Sequence, residues 1–199
     1  MMDPKWFVAS LELIQASIPG SGPPWQWTQR AILARQTSFE AVSEPLARIE
    51  ERFVTIRSIA QTLPSHLKPL LGRLPLAEEK ARSLCECARR LVWRFGGRIP
   101  LDPQDLIMLP GIDRLGAARI LAFGHGLPAL ALDLPGRRVL ERFGVTETDL
   151  ARLLPPAQWI AGACRLDAVG REHCRPQRPW CSRCVLRLHC PRHAVKDAR

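Results

Sequence analysis

The chain has 199 residues, of which 46% are hydrophobic and 24% are charged, a composition typical of a folded globular protein. Its length allows a buried core in one large domain or two small ones. The formal net charge is +10, and all but four of the 29 basic residues are arginine, a cation that pairs well with phosphate groups. The composition therefore excludes a long disordered tail and favours a polyanionic partner, with a general arginine bias of the genome as the alternative explanation.

The N-terminal segment contains acidic Asp3 and Glu12 and lacks the basic leader and apolar run of a secretory signal. No uncharged apolar segment reaches the roughly 18 residues needed to span a membrane. We therefore expect a cytoplasmic protein with access to nucleoid-associated DNA. In such a chain, seven cysteines indicate reduced thiols or metal ligands, and the odd number argues against a closed set of disulfides.

The pattern of apolar residues predicts an all-α chain. Signals for β-strands are almost absent, because the chain has no tyrosine and its single cluster of β-branched residues, FVTI at 53–56, is short. Proline and glycine separate the helical segments. The predicted helices span roughly 5–17, 25–37, 41–52, 55–62, 78–95, 103–108, 114–123, 136–143, 147–154 and 156–169.

The strongest local motif is a cysteine cluster near the C-terminus, CRPQRPWCSRCVLRLHC. Its four cysteines are separated by six, two and five residues: Cys174, Cys181, Cys184 and Cys190. A structural zinc site normally pairs two short arms across a longer loop, whereas here one Cys-x-x-Cys pair is flanked by single cysteines. The spacing favours a four-cysteine iron-sulfur cluster, with zinc as the alternative.

A second motif, LPGIDRLGAARIL at 109–121, places a Pro-Gly turn before a predicted helix. The unpaired amides and the dipole at the start of a helix can bind an anion, and Arg114 and Arg119 add positive charge. Taken alone, the motif favours the alternative, an ordinary turn between two packed helices.

The cysteine spacing resembles the [4Fe-4S] loop of the endonuclease III and MutY branch of the helix-hairpin-helix DNA glycosylases. Three further stretches resemble family motifs in the same order along the chain: AILARQT, GGRIPLDPQDLIMLPGIDRLGAARIL and LALDLPGRRVLERFG. The resemblance covers most of the chain. It implies a two-lobed all-α fold, with a helical barrel domain at 22–128 that carries the hairpin and an iron-sulfur cluster domain formed by 1–21 and 129–199.

The resemblance also implies roles for individual residues. Asp133 aligns with the carboxylate that the family uses to break the N-glycosidic bond, although the same residue could cap the helix that follows. The glutamine at position 36 matches the residue that fills the space left by an extruded base, with helix-end hydrogen bonding as the alternative. The implied DNA contacts are Gln36, Gly111, Ile112, Asp113, Arg114, Arg175, Arg178 and Arg183, and the implied cluster ligands are Cys174, Cys181, Cys184 and Cys190.

Three positions depart from the family pattern. Asp113 replaces the second glycine of the hairpin, Leu115 replaces the lysine that forms a Schiff base in bifunctional members, and Ala31 replaces a glutamate of the adenine-removing relatives. We therefore expect a monomeric, monofunctional glycosylase that removes a damaged or mismatched base from duplex DNA in base excision repair, without efficient strand cleavage. The alternative is a relative that binds DNA lesions and excises nothing.

Overall fold

The computed structural model describes residues 4–199, and every regular element in this range is helical, which confirms the all-α prediction. The α-helices are α1 (Pro4–Glu12), α2 (Pro24–Leu33), α3 (Phe39–Arg52), α4 (Ile56–Ala60), α5 (Pro64–Leu67), α6 (Ala77–Phe95), α7 (Pro103–Ile107), α8 (Arg114–Arg119), α9 (Leu134–Phe143), α10 (Glu147–Leu153) and α11 (Trp159–Glu172). Short 3-10 helices lie at Lys68–Leu71, Pro156–Gln158 and Cys181–Arg183, and one π-helical turn lies at Ile120–Gly124.

The helices form two compact units. We call Ser21–Leu127 the hairpin unit, and we call Met1–Gly20 together with Pro128–Arg199 the cysteine unit. Positions 1–3, which the sequence assigned to the second domain, lie outside the described residues. Each unit buries its own set of apolar side chains, as expected of a separate hydrophobic core.

The hairpin unit is built around α6, the longest helix. Glu78 and Glu79 lie in its first turn, where acidic side chains favour the helix dipole, and the helix ends at Gly96 in the left-handed conformation. The core of this unit includes fully buried apolar side chains from five helices: Ile32, Leu46, Ile59, Leu67, Leu84 and Leu91.

The cysteine unit is centred on α9 and α11, which pack against each other along their lengths. Its core combines apolar side chains of these two helices with others from α1, α10, the chain before α9 and the cysteine segment, residues 174–190: Phe7, Leu11, Leu132, Val139, Leu140, Phe143, Leu150, Leu166, Val169 and Leu186. The helices are in close contact at Gly170, where an added Cβ would lie 2.2 Å from the carbonyl oxygen of Pro135. The absent side chain of Gly170 is therefore a condition for this packing.

Several predicted helix bounds were wrong. The predicted helix 114–123 is an α-helix that ends at Arg119 and continues as the π-helical turn, in which the His125 amide donates to the Ile120 carbonyl at 3.1 Å. The wider turn sets Gly124 against the start of α2, where an added Cβ would lie 3.0 Å from Pro24 Cα.

The predicted first and second helices are also shorter than expected. The helix predicted at 5–17 ends at Glu12, and the helix predicted at 25–37 ends at Leu33. In the second case the chain turns away at Gln36, whose φ of 55° is incompatible with a continuing α-helix.

Candidate functional site

The turn of the hairpin requires glycine at position 111. Gly111 has a φ of 82°, and a Cβ built on it would lie 2.8 Å from Cβ of Ser83 on α6. Backbone conformation and space therefore both demand glycine. The neighbouring Ile112 is buried, and its amide donates to the Leu109 carbonyl at 3.1 Å, so the turn is closed by its own backbone and pressed onto α6.

Asp113 caps the second helix of the hairpin. Its side chain is exposed, and its Oδ1 accepts the Gly116 amide at 2.7 Å. Arg114, which follows, is exposed as well. A carboxylate therefore occupies a first-turn amide of α8, at the end of the helix where an anion would otherwise bind.

Replacing Asp113 with glycine is expected to strengthen duplex binding and to weaken folding. A carboxylate 4 Å from a phosphate costs about 1 kcal/mol even at the dielectric constant of water, so affinity should rise roughly fivefold and depend more steeply on salt. Because glycine is itself a tolerated N-cap, the free energy of unfolding should fall by only about 0.3 kcal/mol. Fluorescence anisotropy titrations at several salt concentrations and thermal melts measure both effects.

Asp102→Gly is the matched control for this prediction. Asp102 caps α7 in the same way, by accepting the Gln104 amide at 2.7 Å, and its side chain is also exposed. If both variants show the same gain in affinity for duplex DNA, the effect of Asp113 is one of overall charge and the hairpin interpretation is wrong.

The end of α2 packs against the start of α8. Ala31 is buried there, and its Cβ would lie 3.2 Å from a Cβ added at Gly116. Leu115 is half-buried in the first turn of α8. Gln36 is exposed just beyond α2, so its side chain is accessible from solvent. None of these side chains supplies an amine.

One lysine of the hairpin unit is buried. Lys80 on α6 is 1% exposed, and its Nζ has no hydrogen-bond partner among the described residues. Burial lowers the pKa of Lys80, and the positive charge of Arg35 lowers it further. Because the amine is inaccessible from solvent, it is not available to a large substrate in this conformation.

Asp133 lies at the N-terminus of α9. This position is compatible with both interpretations of its sequence, a catalytic carboxylate and a helix cap. It is the N-cap of the helix, is half-buried, and its Oδ1 accepts the Leu134 amide at 2.8 Å. Its carbonyl accepts the Arg137 amide at 3.0 Å, which begins the helical hydrogen bonding. The N-terminus of α9 therefore fixes the position of Asp133. Because Asp133 is partly exposed, it is accessible to a ligand.

A second aspartate near Asp133 was not identified from the sequence. Asp167 on α11 is 5% exposed, and its Oδ1 accepts the Asp133 amide at 3.1 Å and the Gly136 amide at 3.0 Å. Burial raises the pKa of Asp167 to about 6, and the negative charge of Asp133 adds to the rise. A charged residue beside Leu166 on the buried face of an otherwise apolar helix segment is the signal that could have found it.

The four motif cysteines surround one cavity in the cysteine unit. Its apolar walls come from α9, α11 and the C-terminal segment, and its lining includes Val139, Phe143, Val169, Leu186, Cys174, Cys181, Cys184 and Cys190. Burial, with a smaller contribution from the other three thiols, raises the pKa of Cys184 to about 11. Four thiolates in this space would therefore need a cationic centre for their charge.

Within residues 4–199, no three histidine, cysteine, aspartate or glutamate side chains are grouped closely enough to hold a metal ion.

Arg142 is the other important residue that sequence reasoning missed. It is 7% exposed near the end of α9, and its Nη1 donates to Cys174 Sγ at 3.1 Å and to the Arg175 carbonyl at 2.9 Å. Its Nη2 donates to the Pro176 carbonyl at 3.2 Å. The guanidinium thus fixes the backbone that follows the first cysteine. The helix that begins at Asp133 therefore ends at the cysteine cavity.

Three of the arginines predicted to bind DNA, Arg175, Arg178 and Arg183, are exposed on the cysteine segment. The guanidinium carbons of Arg175 and Arg183 lie 4.2 Å and 5.8 Å from the ring centroid of Trp180. Arg178 pairs with Asp197, with 3.3 Å between Nε and Oδ2. The structure therefore brings two of these arginines together around one aromatic ring, and a carboxylate partly neutralises the third.

Comparison with known proteins places these features in a family. Residues 30–154 match the HhH-GPD superfamily of base excision DNA repair proteins. Endonuclease III of Thermotoga maritima is 31% identical over 175 residues, which cover 84% of this chain and 82% of that protein. The thymine-DNA glycosylase of Aeropyrum pernix is 26% identical over 183 residues, which cover 84% of this chain and 82% of that protein. A solved structure of a trapped endonuclease III-DNA covalent intermediate matches with a TM-score of 0.85 at 24% identity, covering 96% of each chain.

The hairpin and the all-helical fold are features of the helix-hairpin-helix class. The chain belongs to the HhH-GPD superfamily of base excision DNA repair proteins, in its endonuclease III branch. The predicted family is therefore confirmed. In residues 4–199, no helix is both long and apolar enough to cross a membrane.

Proposed function

We propose that this chain is a monofunctional DNA glycosylase that hydrolyses the N-glycosidic bond of a damaged or mismatched base in duplex DNA. The observation that carries the proposal is the position of Asp133, a partly exposed carboxylate held at the N-terminus of α9 in a chain of this family. The named activities of two relatives, an endonuclease III and a thymine-DNA glycosylase, support the same class of reaction.

The role of Asp133 follows from its charge. As the base departs with the electron pair of the bond, the sugar becomes positively charged at C1′, and a nearby carboxylate stabilises that charge. A water molecule oriented by the same carboxylate then adds its hydroxyl group to C1′, while its proton ends on the departing base. The products are a free base and an abasic site in an uncut strand.

The absence of an amine in the hairpin argues against strand cleavage. Leu115 occupies the position where the resemblance places the Schiff-base lysine, and it carries no nucleophile. Lys80, the buried lysine of the hairpin unit, is inaccessible from solvent. We therefore assign water as the nucleophile.

A [4Fe-4S] cluster fits the cysteine cavity better than one zinc ion. Each cysteine of such a cluster binds a different iron atom, so the thiols surround a space, as the four cysteines do here, and need not converge on one point. When bound, the cluster would neutralise the thiolates and fix the loop. That loop carries Arg175, Arg178 and Arg183, whose charges would face DNA phosphates.

Purified protein is expected to be brown and to contain about four iron and four sulfide per chain. Colorimetric iron and sulfide assays and the visible absorption spectrum measure this directly. Cys184→Ser should remove most of the iron and the colour, while Cys164→Ser, outside the motif, should retain both. One zinc per chain in colourless wild-type protein would contradict the cluster assignment.

A single-turnover assay on a panel of duplexes with damaged and mismatched bases tests the proposed function. Each reaction is divided and analysed with and without hot alkali, beside Asp133→Asn. Breaks that appear after alkali alone, and that are absent in the Asp133 variant, are the expected result. Breaks without alkali would show a lyase and contradict the monofunctional assignment.

A second function is favoured by one observation. The Asp113 carboxylate caps α8 at the place where a phosphate would bind, which weakens the expected grip of the hairpin on DNA. A protein that recognises lesions without excising a base would tolerate the departures at Ala31, Asp113 and Leu115. Tight binding to a lesion duplex with no breaks under either condition would establish this alternative.

A further inference from the structure

The buried carboxylate of Asp167 holds the backbone on which Asp133 stands. It accepts the amide of Asp133 itself at 3.1 Å and the amide of Gly136, in the first turn of α9, at 3.0 Å. The two aspartates are 34 residues apart in the chain, so α11 supplies part of the cap for α9 across the packed pair of helices.

A remote cap of this kind is unusual because N-caps are normally local. The first-turn amides of a helix are generally bound by the side chain of the capping residue. Here the carboxylate of Asp133 takes the Leu134 amide, while Asp167 takes the amide of Gly136 two positions later. Burying a carboxylate costs free energy of folding, and two backbone hydrogen bonds offset a small part of that cost. Stability alone therefore does not account for Asp167.

The start of α9 is packed closely against α11. A Cβ added at Gly136 would lie 2.5 Å from Asp167 Oδ1, and one added at Gly170 would lie 2.2 Å from the Pro135 carbonyl oxygen. Two glycines thus bring the start of α9 directly onto α11. The backbone that directly follows Asp133 is therefore held against α11.

We propose that Asp167 is a positioning residue for Asp133. Asp167 holds the backbone at the start of α9 and adds a second negative charge behind the reacting sugar. This inference rests on the proposed glycosylase function. The added charge would strengthen the field that stabilises the cationic transition state, without Asp167 itself touching DNA.

The charge state of Asp167 should change within the range of ordinary assays. Burial and, to a smaller extent, the charge of Asp133 together raise its pKa to about 6, against the opposing effect of Arg171 on the same helix. The neighbouring arginines of α9 are engaged elsewhere: Arg138 donates to the Gly170 and Cys174 carbonyls, and Arg137 pairs with Glu147. Asp167 is therefore neutral well below pH 6 and ionised above it.

The first test is the pH profile of excision by wild type and Asp167→Asn under single-turnover conditions. The wild-type rate should rise as pH passes about 6, and the variant should lack this step and be roughly tenfold slower at about pH 8. Its affinity for uncut duplex should be unchanged. A variant with the wild-type pH step would overturn the proposal.

Asp149→Asn is the matched control for stability. Asp149 belongs to the capping box of α10 in the same unit, where its Oδ2 accepts the Thr146 amide at 3.0 Å. The control should lose a helix-capping carboxylate while keeping the wild-type pH step. If both variants lose activity in proportion to their loss of folded protein, Asp167 is merely structural.

A second test needs no activity. Carboxylate carbon and backbone amide NMR titrations should show Asp167 ionising near pH 6, with the Asp133 and Gly136 amides following it. In Asp133→Asn the ionisation of Asp167 should move to lower pH, because the charge that raises its pKa is gone. Amides that do not respond to Asp167 would overturn the positioning role even if excision occurs. Wild-type protein that excises nothing would refute the proposed function, while these titrations would still decide whether Asp167 controls Asp133.

Discussion

Replacing Leu115 with lysine is expected to give a protein that cuts DNA at abasic sites without alkali. The wild-type chain should leave such strands intact and should form no adduct with borohydride. The variant should form a covalent protein-DNA adduct within minutes when borohydride traps the Schiff base. Gel electrophoresis of an abasic duplex after trapping measures this gain directly.

The expected strand cleavage by Leu115→Lys depends on the amine that lysine supplies and on the position of residue 115. The first turn of α8 places residue 115 next to the closed turn at Gly111, and the resemblance assigns the nucleophilic lysine to this position. Leu115 is half-buried, and a lysine there can lay its aliphatic chain along the apolar surface while its amine reaches solvent. The substitution thus restores the missing nucleophile with little change in packing.

Leu115→Met is the control for this prediction, because it keeps the size of the side chain and adds no amine. It should behave like wild type in both assays. A wild-type protein that forms the adduct as fast as Leu115→Lys would mean that another amine already does this work. A lysine variant that binds abasic duplex and forms no adduct would mean that position 115 does not face the sugar.

Replacing Gly170 with alanine is expected to reduce excision by roughly 100-fold and to destabilise the fold. The new methyl group would lie 2.2 Å from the Pro135 carbonyl oxygen and 2.3 Å from its carbonyl carbon. These are backbone atoms two residues beyond Asp133, so the clash can be relieved solely by moving the start of α9 away from α11.

The loss of activity should exceed what destabilisation alone explains. Overpacking typically costs 1–3 kcal/mol or more, and the higher helix propensity of alanine returns about 1 kcal/mol. A net loss of roughly 2 kcal/mol leaves a protein of ordinary stability largely folded at room temperature. Displacement of Asp133 would still slow excision, because the chemistry depends on its position. Thermal melts and single-turnover rates separate the two effects.

Gly162→Ala provides a matched control in the same helix. An added Cβ there would meet Cδ1 of Leu154 at 2.6 Å, the end of a flexible side chain that can rotate away. This variant should keep most of the wild-type rate. Equal losses in the two variants would show that α11 is intolerant of alanine in general and that the contact with Pro135 has no special role.

The features that the sequence could predict are local in the chain. The Pro110-Gly111 turn, the cap at Asp133 and the long helix depend on nearby residues. The turn and the cap occur where the pattern predicts them, and the helix predicted at 78–95 is observed at Ala77–Phe95. The motifs that identified the family are local as well. The DNA contacts at Gln36, Ile112 and the loop arginines stay predictions, since the structure shows their exposure and partners and contains no DNA.

The features that the sequence could not predict depend on distant parts of the chain. Asp167 meets Asp133 because the glycines of α9 and α11 let the helices approach, and no local pattern encodes that contact. Arg142 binds the backbone after Cys174, 32 residues away, and on sequence alone it is one arginine among many. The π-helical turn also depends on packing, since Gly124 lies against Pro24.

The most direct test of the account is to identify the product released from duplex DNA by mass spectrometry. Wild-type protein incubated with its preferred lesion duplex should release a free base and leave an uncut strand with an abasic site. Asp133→Asn should release the base at least about 100-fold more slowly under the same conditions. Release of no base by wild type from any bound duplex, or release by Asp133→Asn at the wild-type rate, would contradict the assignment of Asp133 as the carboxylate of a monofunctional glycosylase.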